Sequence, residues 1–309
     1  MGPRFRGDDG ERGAAGPGAI SSGQAHGGAA HRVAMTPPDP STYMASGLSA
    51  EVFALGEGQV LKLFHDGIEP ATIAREYAVA RVIGSTGLPV ARVIGQRQVG
   101  QRQGIVYSRI DGPTLIEHIR HRPWRARWAL CAMARLQHHV HQRALPGLRS
   151  RKQILGEDIE LAGFGPRLAD AALNRLALLQ EGDALSHGDL HPGNLIVTGE
   201  GRRRGLAVID WSKAACAAPA ADVVRTEMLL RFGPWPTESG LEGPLRDAAA
   251  AYYVHCYRKA SGMGAEALSA WRALVALAWV RQRLPGRDVA FARYLADALK
   301  AAGLPEPDG

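Results

Sequence analysis

Apolar and polar positions change their rhythm twice along this chain. From about residue 42 the apolar residues come in short alternating runs. Val52-Phe53-Ala54-Leu55, then Gly56-Glu57-Gly58, then Gln59 to Phe64 reads as a hairpin around a glycine turn. Glu69-Pro70 opens a helix, because proline is tolerated in a first turn, and Gly84 and Gly87 close it before Pro89. Within that helix Ile73, Glu76, Ala80 and Ile83 recur at helical spacing, which places a carboxylate on the apolar stripe. Two further strands are expected at about 91–98 and 104–110. From Thr114 the helical period takes over, at about 114–120, 124–144, 168–180, 219–232, 240–261, 265–284 and 288–302. A loop-and-hairpin region, 186–210, interrupts it. The expected class is α+β, with a small β-rich lobe and a larger, mainly helical lobe joined near Ile110–Thr114.

Residues 1–40 do not share either rhythm. They hold nine glycines between Gly2 and Gly28 and almost no large apolar residues. Such a segment buries too little to offset its ordering entropy, so a disordered tail is expected. The division expected is 1–40 for the tail, 41–110 for the β lobe and 111–304 for the helical lobe. With 46% hydrophobic residues the remainder can bury a substantial core. The net charge of +7 permits anionic ligands without establishing a nucleic-acid binder, and nucleic acid is disfavoured. Cys131, Cys216 and Cys256 show no paired spacing, so neither a zinc site nor a disulfide is indicated, and a reducing cytoplasm is expected. No apolar run approaches the ~20 residues of a membrane span.

Chemistry concentrates in Ser186-His187-Gly188-Asp189-Leu190-His191-Pro192-Gly193-Asn194. The apolar run Leu195-Ile196-Val197 follows, then a polar turn, then Leu206-Ala207-Val208-Ile209 and Asp210-Trp211. Two short strands back to back return the chain and set Asp210 near Asn194 and Asp189. An Asp, an Asn and a second Asp in one cleft supply hard oxygen ligands of the type Mg²⁺ prefers, with one carboxylate left to accept a proton. The bland alternative is a polar loop whose Asx side chains cap their own backbone.

His187-x-Asp189-x4-Asn194 followed by Asp210-Trp211 resembles the signature of the aminoglycoside phosphotransferase and choline kinase family, relatives of protein kinases. The resemblance runs over about residues 43–300. It implies a bilobal, protein-kinase-like fold and phosphoryl transfer from ATP, with GTP left open as donor. It further implies Asp189 as catalytic base, Asn194 and Asp210 as Mg²⁺ ligands, and His187 as a brace for the loop. Lys62 lies between Val60 and Phe64 on one strand face and is one of only five lysines among 37 basic residues. The resemblance pairs it with Glu76, whose position on the apolar stripe demands a cation. Gly47 and Ser49 stand where the family covers the phosphates, although the turn has only one glycine. Ser108 and Ile110 stand where its backbone meets adenine. Pro219-Ala-Ala-Asp222 matches the family's P-x-x-D, whose Asp braces the catalytic loop; a plain helix N-cap is the alternative.

Only eleven residues separate Asp210 from Asp222, which leaves no room for a peptide-docking activation segment. A small-molecule hydroxyl acceptor is therefore expected rather than a protein. The alternatives are a protein kinase or a basic binding protein that kept the fold without turnover. From His118 to Lys152 the chain holds eight arginines, one lysine and five histidines with no acid, most simply a solvated basic face. RNA, a membrane surface or a phosphorylated metabolite are its other readings. His138 and His141 could share a metal, but a solvated or packed pair is the simpler reading. Acids suited to a polycation are sparse: Asp158, Glu160, Glu227, Glu238 and Glu242. A polycationic aminoglycoside is accordingly not the expected acceptor. Trp124, Trp128, Trp211, Trp235 and Trp271 are candidates for an apolar or sugar pocket, or for core.

Overall fold

Alternation along the first third of the chain becomes a sheet backed by one helix. The computed structural model describes residues 34–35, 39–233, 242–281 and 288–307. Most of the 1–40 tail, together with Trp235 and Glu238, lies outside those residues. The sheet contains β1 (Ala34–Met35), β2 (Tyr43–Ser46), β3 (Ala50–Leu55), β4 (Gln59–Phe64), β5 (Val93–Val99) and β6 (Arg102–Ser108), in the order β1-β5-β6-β4-β3-β2. All neighbours are antiparallel except β1 with β5. Glu57 and Gly58 both take positive φ in the β3–β4 turn.

Central β4 pairs Lys62 with Val52 on one side and Ile105 on the other. Strand alternation then sorts the faces. Phe53, Leu61, Leu63, Val99 and Val106 pack together on one of them. Ala50, Phe64 and Ile105 pack on the other, against Ile73 of α1 (Pro70–Gly84). Helix α1 buries Ile73, Glu76, Ala80 and Ile83, the stripe its spacing predicts. Lys62 shares the Phe64 and Ile105 face, so its ammonium points toward α1.

The second part is mainly helical. It runs through α2 (Leu115–His121), α3 (Ala126–His141), α4 (Arg151–Glu160) and α5 (Pro166–Leu178). The short strands β7 (Ala184–Ser186), β8 (Leu195–Thr198), β9 (Gly205–Val208) and β10 (Ala215–Ala217) follow, and then α6 (Pro219–Phe232), α7 (Glu242–Ser261), α8 (Ala265–Val280) and α9 (Asp288–Ala302). Helix α3 packs on α7, α6 on α7 and α8, and α4 on α8, around a core rich in alanine, leucine and valine. Gly112 makes the passage between the two parts possible. Its φ is 138°, and a Cβ there would overlap the Val197 carbonyl.

Two expectations are corrected here. Helix α4 is absent from the sequence reading because its apolar stripe is weak and Gly156 interrupts it. It forms because Leu155, Asp158 and Ile159 are buried, with Gly156 close to Leu173 and Leu176 of α5. Cys131 and Cys256, read as unpaired, form a disulfide between α3 and α7, with Cα atoms 5.2 Å apart. A spacing of 125 residues carries no pairing signal, whereas helix packing brings the two faces together. Cys216 is free. Among the described residues no helix is long and apolar enough to cross a membrane.

Candidate functional site

Lys62 is the meeting point of the two parts of the chain. Its Nζ donates to Glu76 Oε1 at 2.8 Å and to Asp210 Oδ1 at 3.0 Å. Tyr107 Oη donates to the same Glu76 oxygen at 3.1 Å, from the neighbouring strand. Glu76 is 5% exposed, and burial pushes its carboxyl pKa up while the Lys62 charge opposes this. Burial also acts to raise Asp210, but the Lys62 ammonium and the hydrogen bonds from Lys62 and Ser212 prevail and hold it well below the usual carboxylate range. Asp210 has φ of 59°, in the left-handed region that costs a non-glycine residue about 1–2 kcal/mol. Such strain at a single residue is characteristic of sites where side-chain placement matters more than backbone comfort.

The hairpin β8–β9 brings the other parts to Asp210. Leu195 pairs with Val208, and the Ile209 N–H donates to the Asn194 carbonyl at 3.0 Å, so the residues flanking the hairpin end side by side. Asn194 Nδ2 donates to the Asp189 carbonyl at 3.0 Å, which fixes the amide with its oxygen as the remaining acceptor. Asp189 Oδ2 accepts from Lys213 Nζ at 3.0 Å. Burial acts to raise Asp189, yet Lys213, Arg225 and His191 together hold it below its ordinary value, so the carboxylate is ionised.

His187 is fully buried and rests on the Trp211 ring, with centroids 4.7 Å apart. Its Nδ1 accepts the Asp189 N–H at 3.2 Å, so the other nitrogen, 3.1 Å from the Ile209 carbonyl, carries the proton. Burial lowers its pKa and keeps this neutral tautomer. Beneath the loop, Asp222 accepts from Ser186 Oγ (2.7 Å), the Gly188 N–H (2.8 Å), the His187 N–H (3.3 Å), Gln137 Nε2 (2.8 Å) and His141 Nε2 (3.0 Å). It does not cap α6. Ala218 is the N-cap residue, and Asp222 lies in the first turn with its carboxylate directed at the loop. Gly188 has φ of 76°, and a Cβ there would run into Arg151 and the Lys213 carbonyl.

The remaining candidates are arranged differently. Gly47 and Ser49 lie in the β2–β3 turn, but the Gly47 N–H donates to the Ala50 carbonyl at 2.9 Å and is not available to a ligand. The Ser49 carbonyl accepts from the His65 N–H at 2.9 Å. At the end of β6 the Ser108 N–H donates to the Arg92 carbonyl (2.8 Å) while its hydroxyl accepts the Arg92 N–H (2.9 Å), and Ile110 follows. His141 is a packed residue, bonded to Asp222 and to Tyr257 Oη (2.6 Å), and no group of three His, Cys, Asp or Glu suited to a metal occurs among the described residues. Trp211 and Trp271 are core, Trp128 packs against the core and Trp124 is exposed. Of the acids, Asp158 pairs with Arg281 and Glu227 with Arg231 and Arg272, while Glu160 is exposed.

Asp210 and Asn194 are of the types a hard divalent cation takes, one ionised carboxylate and one amide oxygen, and the Ile209 N–H to Asn194 carbonyl bond brings their backbones side by side. So small a protein donor set suits a cation whose other ligands are water and phosphate oxygens. The residues around the site were unequally visible in sequence. Lys213, Tyr107, Gln137, Arg151 and Arg225 were missed. Of these, only Lys213 carried a signal, the rarity of lysine already noted for Lys62.

Residues 42–263 match the phosphotransferase enzyme family, over more than two thirds of the chain. The chain belongs to that family. No curated protein matches its sequence. Its fold is similar to an aminoglycoside-3'-phosphotransferase of type VIII, with a TM-score of 0.53 and 19% identity over 76% of this chain and 90% of that one. It is also similar to APH(2")-IIa in a ternary complex with streptomycin and ATP, with a TM-score of 0.53 and 15% identity over 84% and 89%. A third likeness is to the aminoglycoside phosphotransferase APH(3'')-Id from Streptomyces rimosus, with a TM-score of 0.52 and 18% identity over 77% and 93%. Family membership and these folds agree with a β-sheet first part and a helical second part, as the phosphotransferase resemblance implied.

Proposed function

We propose that this phosphotransferase moves the γ-phosphoryl group of ATP to a hydroxyl of a small molecule. The observation that carries the reading is the convergence on Asp210: Lys62 reaches it from the sheet while bonded to Glu76 of α1, and the hairpin sets Asn194 beside it. The ATP held in a structural relative supports the same donor here.

In this reading Lys62 orients the donor phosphates, and Glu76 with Tyr107 fixes where its ammonium stands. Asn194 and Asp210 would hold Mg²⁺, which offsets phosphate charge when bound. Asp189 is ionised and accepts the acceptor's hydroxyl proton as the oxygen bonds to phosphorus and the β–γ bridging bond breaks, leaving ADP. Lys213 positions the Asp189 carboxylate, and the Asp222 network holds the loop from below. The division into nucleotide lobe (41–110) and catalytic lobe (111–304) follows the same assignment. A small acceptor agrees with the direct run from Asp210 through β10 into α6.

Thermal shift with Mg·ATP tests the nucleotide half. A clear rise in melting temperature is expected for the parent and its loss in Asp210→Ala; no shift in the parent sinks the reading. For the base, Asp189→Asn is expected to keep the Mg·ATP shift and lower turnover by roughly a hundredfold or more. Turnover preserved in that variant would refute the assignment.

A further inference from the structure

Arginines that the catalytic parts leave unused gather at one corner of the helical part. The end of α2, the short 3₁₀ turn Pro123–Arg125, the start of α3 and the β8–β9 turn make this corner. Arg204 of the β8–β9 turn lies over the Trp128 ring of α3, 5.6 Å from its centroid, which ties the two segments together. His118 of α2 is buried; burial lowers its pKa, and the charges of Arg122, Arg204 and Arg125 lower it further. Guanidiniums from both segments therefore lie near one imidazole.

These cations are not taken up by the protein's own acids. Arg122, Arg202 and Arg203 are exposed and Arg125 is half-buried. None of the four side chains has an ion-pair or hydrogen-bond partner among the described residues. Glu117 is engaged in capping α2 through Thr114, and it lies beside Arg120 and His121. Glu200, just before the turn Gly201–Arg203, is the other nearby acid, and from His118 to Lys152 there is none. Amid these arginines Trp124 is 74% exposed, although tryptophan ordinarily buries most of its surface.

Single-stranded nucleic acid takes successive aromatic platforms along a basic groove, whereas the corner exposes one indole. An anionic bilayer needs only one: indoles settle at headgroup depth, and each cation near the surface adds its own attraction. We propose that this corner docks the protein on an anionic phospholipid surface, with the Trp124 indole among the headgroups and Arg122, Arg125, Arg202 and Arg203 against lipid phosphates. Docking there leaves the catalytic residues clear. Asn194 and Asp210 flank the base of the β8–β9 hairpin, and the arginines stand at its tip, four strand residues or about 13 Å away.

Co-flotation of the full chain with vesicles tests this, without nucleotide and so independently of the phosphotransferase reading. Vesicles of phosphatidylcholine alone are expected to leave the protein behind. An equimolar mixture with phosphatidylglycerol is expected to carry it, and to carry less at high salt. Arg202→Gln combined with Arg203→Gln should weaken that binding roughly tenfold or more. Tryptophan emission should shift to the blue on binding in the parent and not in Trp124→Phe. These side chains are exposed, so the variants should keep the parent's melting temperature. Absence of binding to the anionic vesicles overturns the proposal, as does binding that the substitutions leave unchanged, which would place it elsewhere on the chain. Binding of oligouridylate that the same substitutions abolish, without vesicle binding, would assign the corner to single-stranded nucleic acid instead.

Discussion

Asp210 combines a strained backbone with an ionised side chain, and the two can be separated. Both Asp210→Ala and Asp210→Gly remove the carboxylate that pairs with Lys62. Only glycine relieves φ of 59°. Asp210→Gly should therefore be more stable than Asp210→Ala by roughly 1 kcal/mol in urea denaturation, although neither should respond to Mg·ATP. Equal stabilities would mean that the left-handed conformation is not held in solution. At this scale the sequence was most informative where one residue carries an unavoidable physical demand. Glu76 on an apolar stripe required a cation, and Lys62 is found 2.8 Å away. Lys213 made no such demand, since a lysine in a polar loop is ordinary, and its link to Asp189 depends on how the loops fold together.

Elements show the same contrast. The β3–β4 hairpin, α1 and the β8–β9 hairpin were legible because their apolar periodicity is strong and their ends carry glycine or proline. Helix α4 was not, because its stability comes from packing on α5 and α8 rather than from its own pattern. The disulfide between α3 and α7 is likewise a product of packing. Unfolded but unreduced protein should titrate one thiol, Cys216, and reduced protein three. Cys131→Ser should lower stability by about 2–4 kcal/mol, since the crosslink closes a long loop in the unfolded chain. Three thiols without reductant would show that the crosslink is absent. The basic stretch 118–152 was read as one solvated face, but its C-terminal end is not. Arg149 pairs with Glu157, and Arg151 reaches the Lys213 carbonyl.

Across the whole molecule, several histidines are kept neutral by burial. His191 is pushed down to about 4, and His187, His118 and His138 are also lowered, each chiefly by burial. Between about pH 4 and 6.5 the unfolded chain binds protons on these groups that the folded chain does not, so stability must rise with pH through that window. His191 alone accounts for about 3 kcal/mol at the acid end. Glu76, whose pKa is raised, acts in the opposite sense, as one group against four. The thermal midpoint should climb from pH 4.5 to 7 and then level, and His191→Asn should flatten the climb. A midpoint that does not change with pH would contradict neutral burial.

The sequence by itself determined the α+β order of elements and that Asp189, Asn194 and Asp210 come together around one hairpin. Those follow from local periodicity, from turn chemistry and from residues closely spaced along the chain. Only the tertiary structure decided that Cys131 meets Cys256, that Asp222 gathers five donors beneath the loop, and that arginines from the α2–α3 turn and the β8–β9 turn share one corner. Each of these depends on side chains brought together from distant stretches of chain, and charge or thiol chemistry at such distances has no period for a sequence to display.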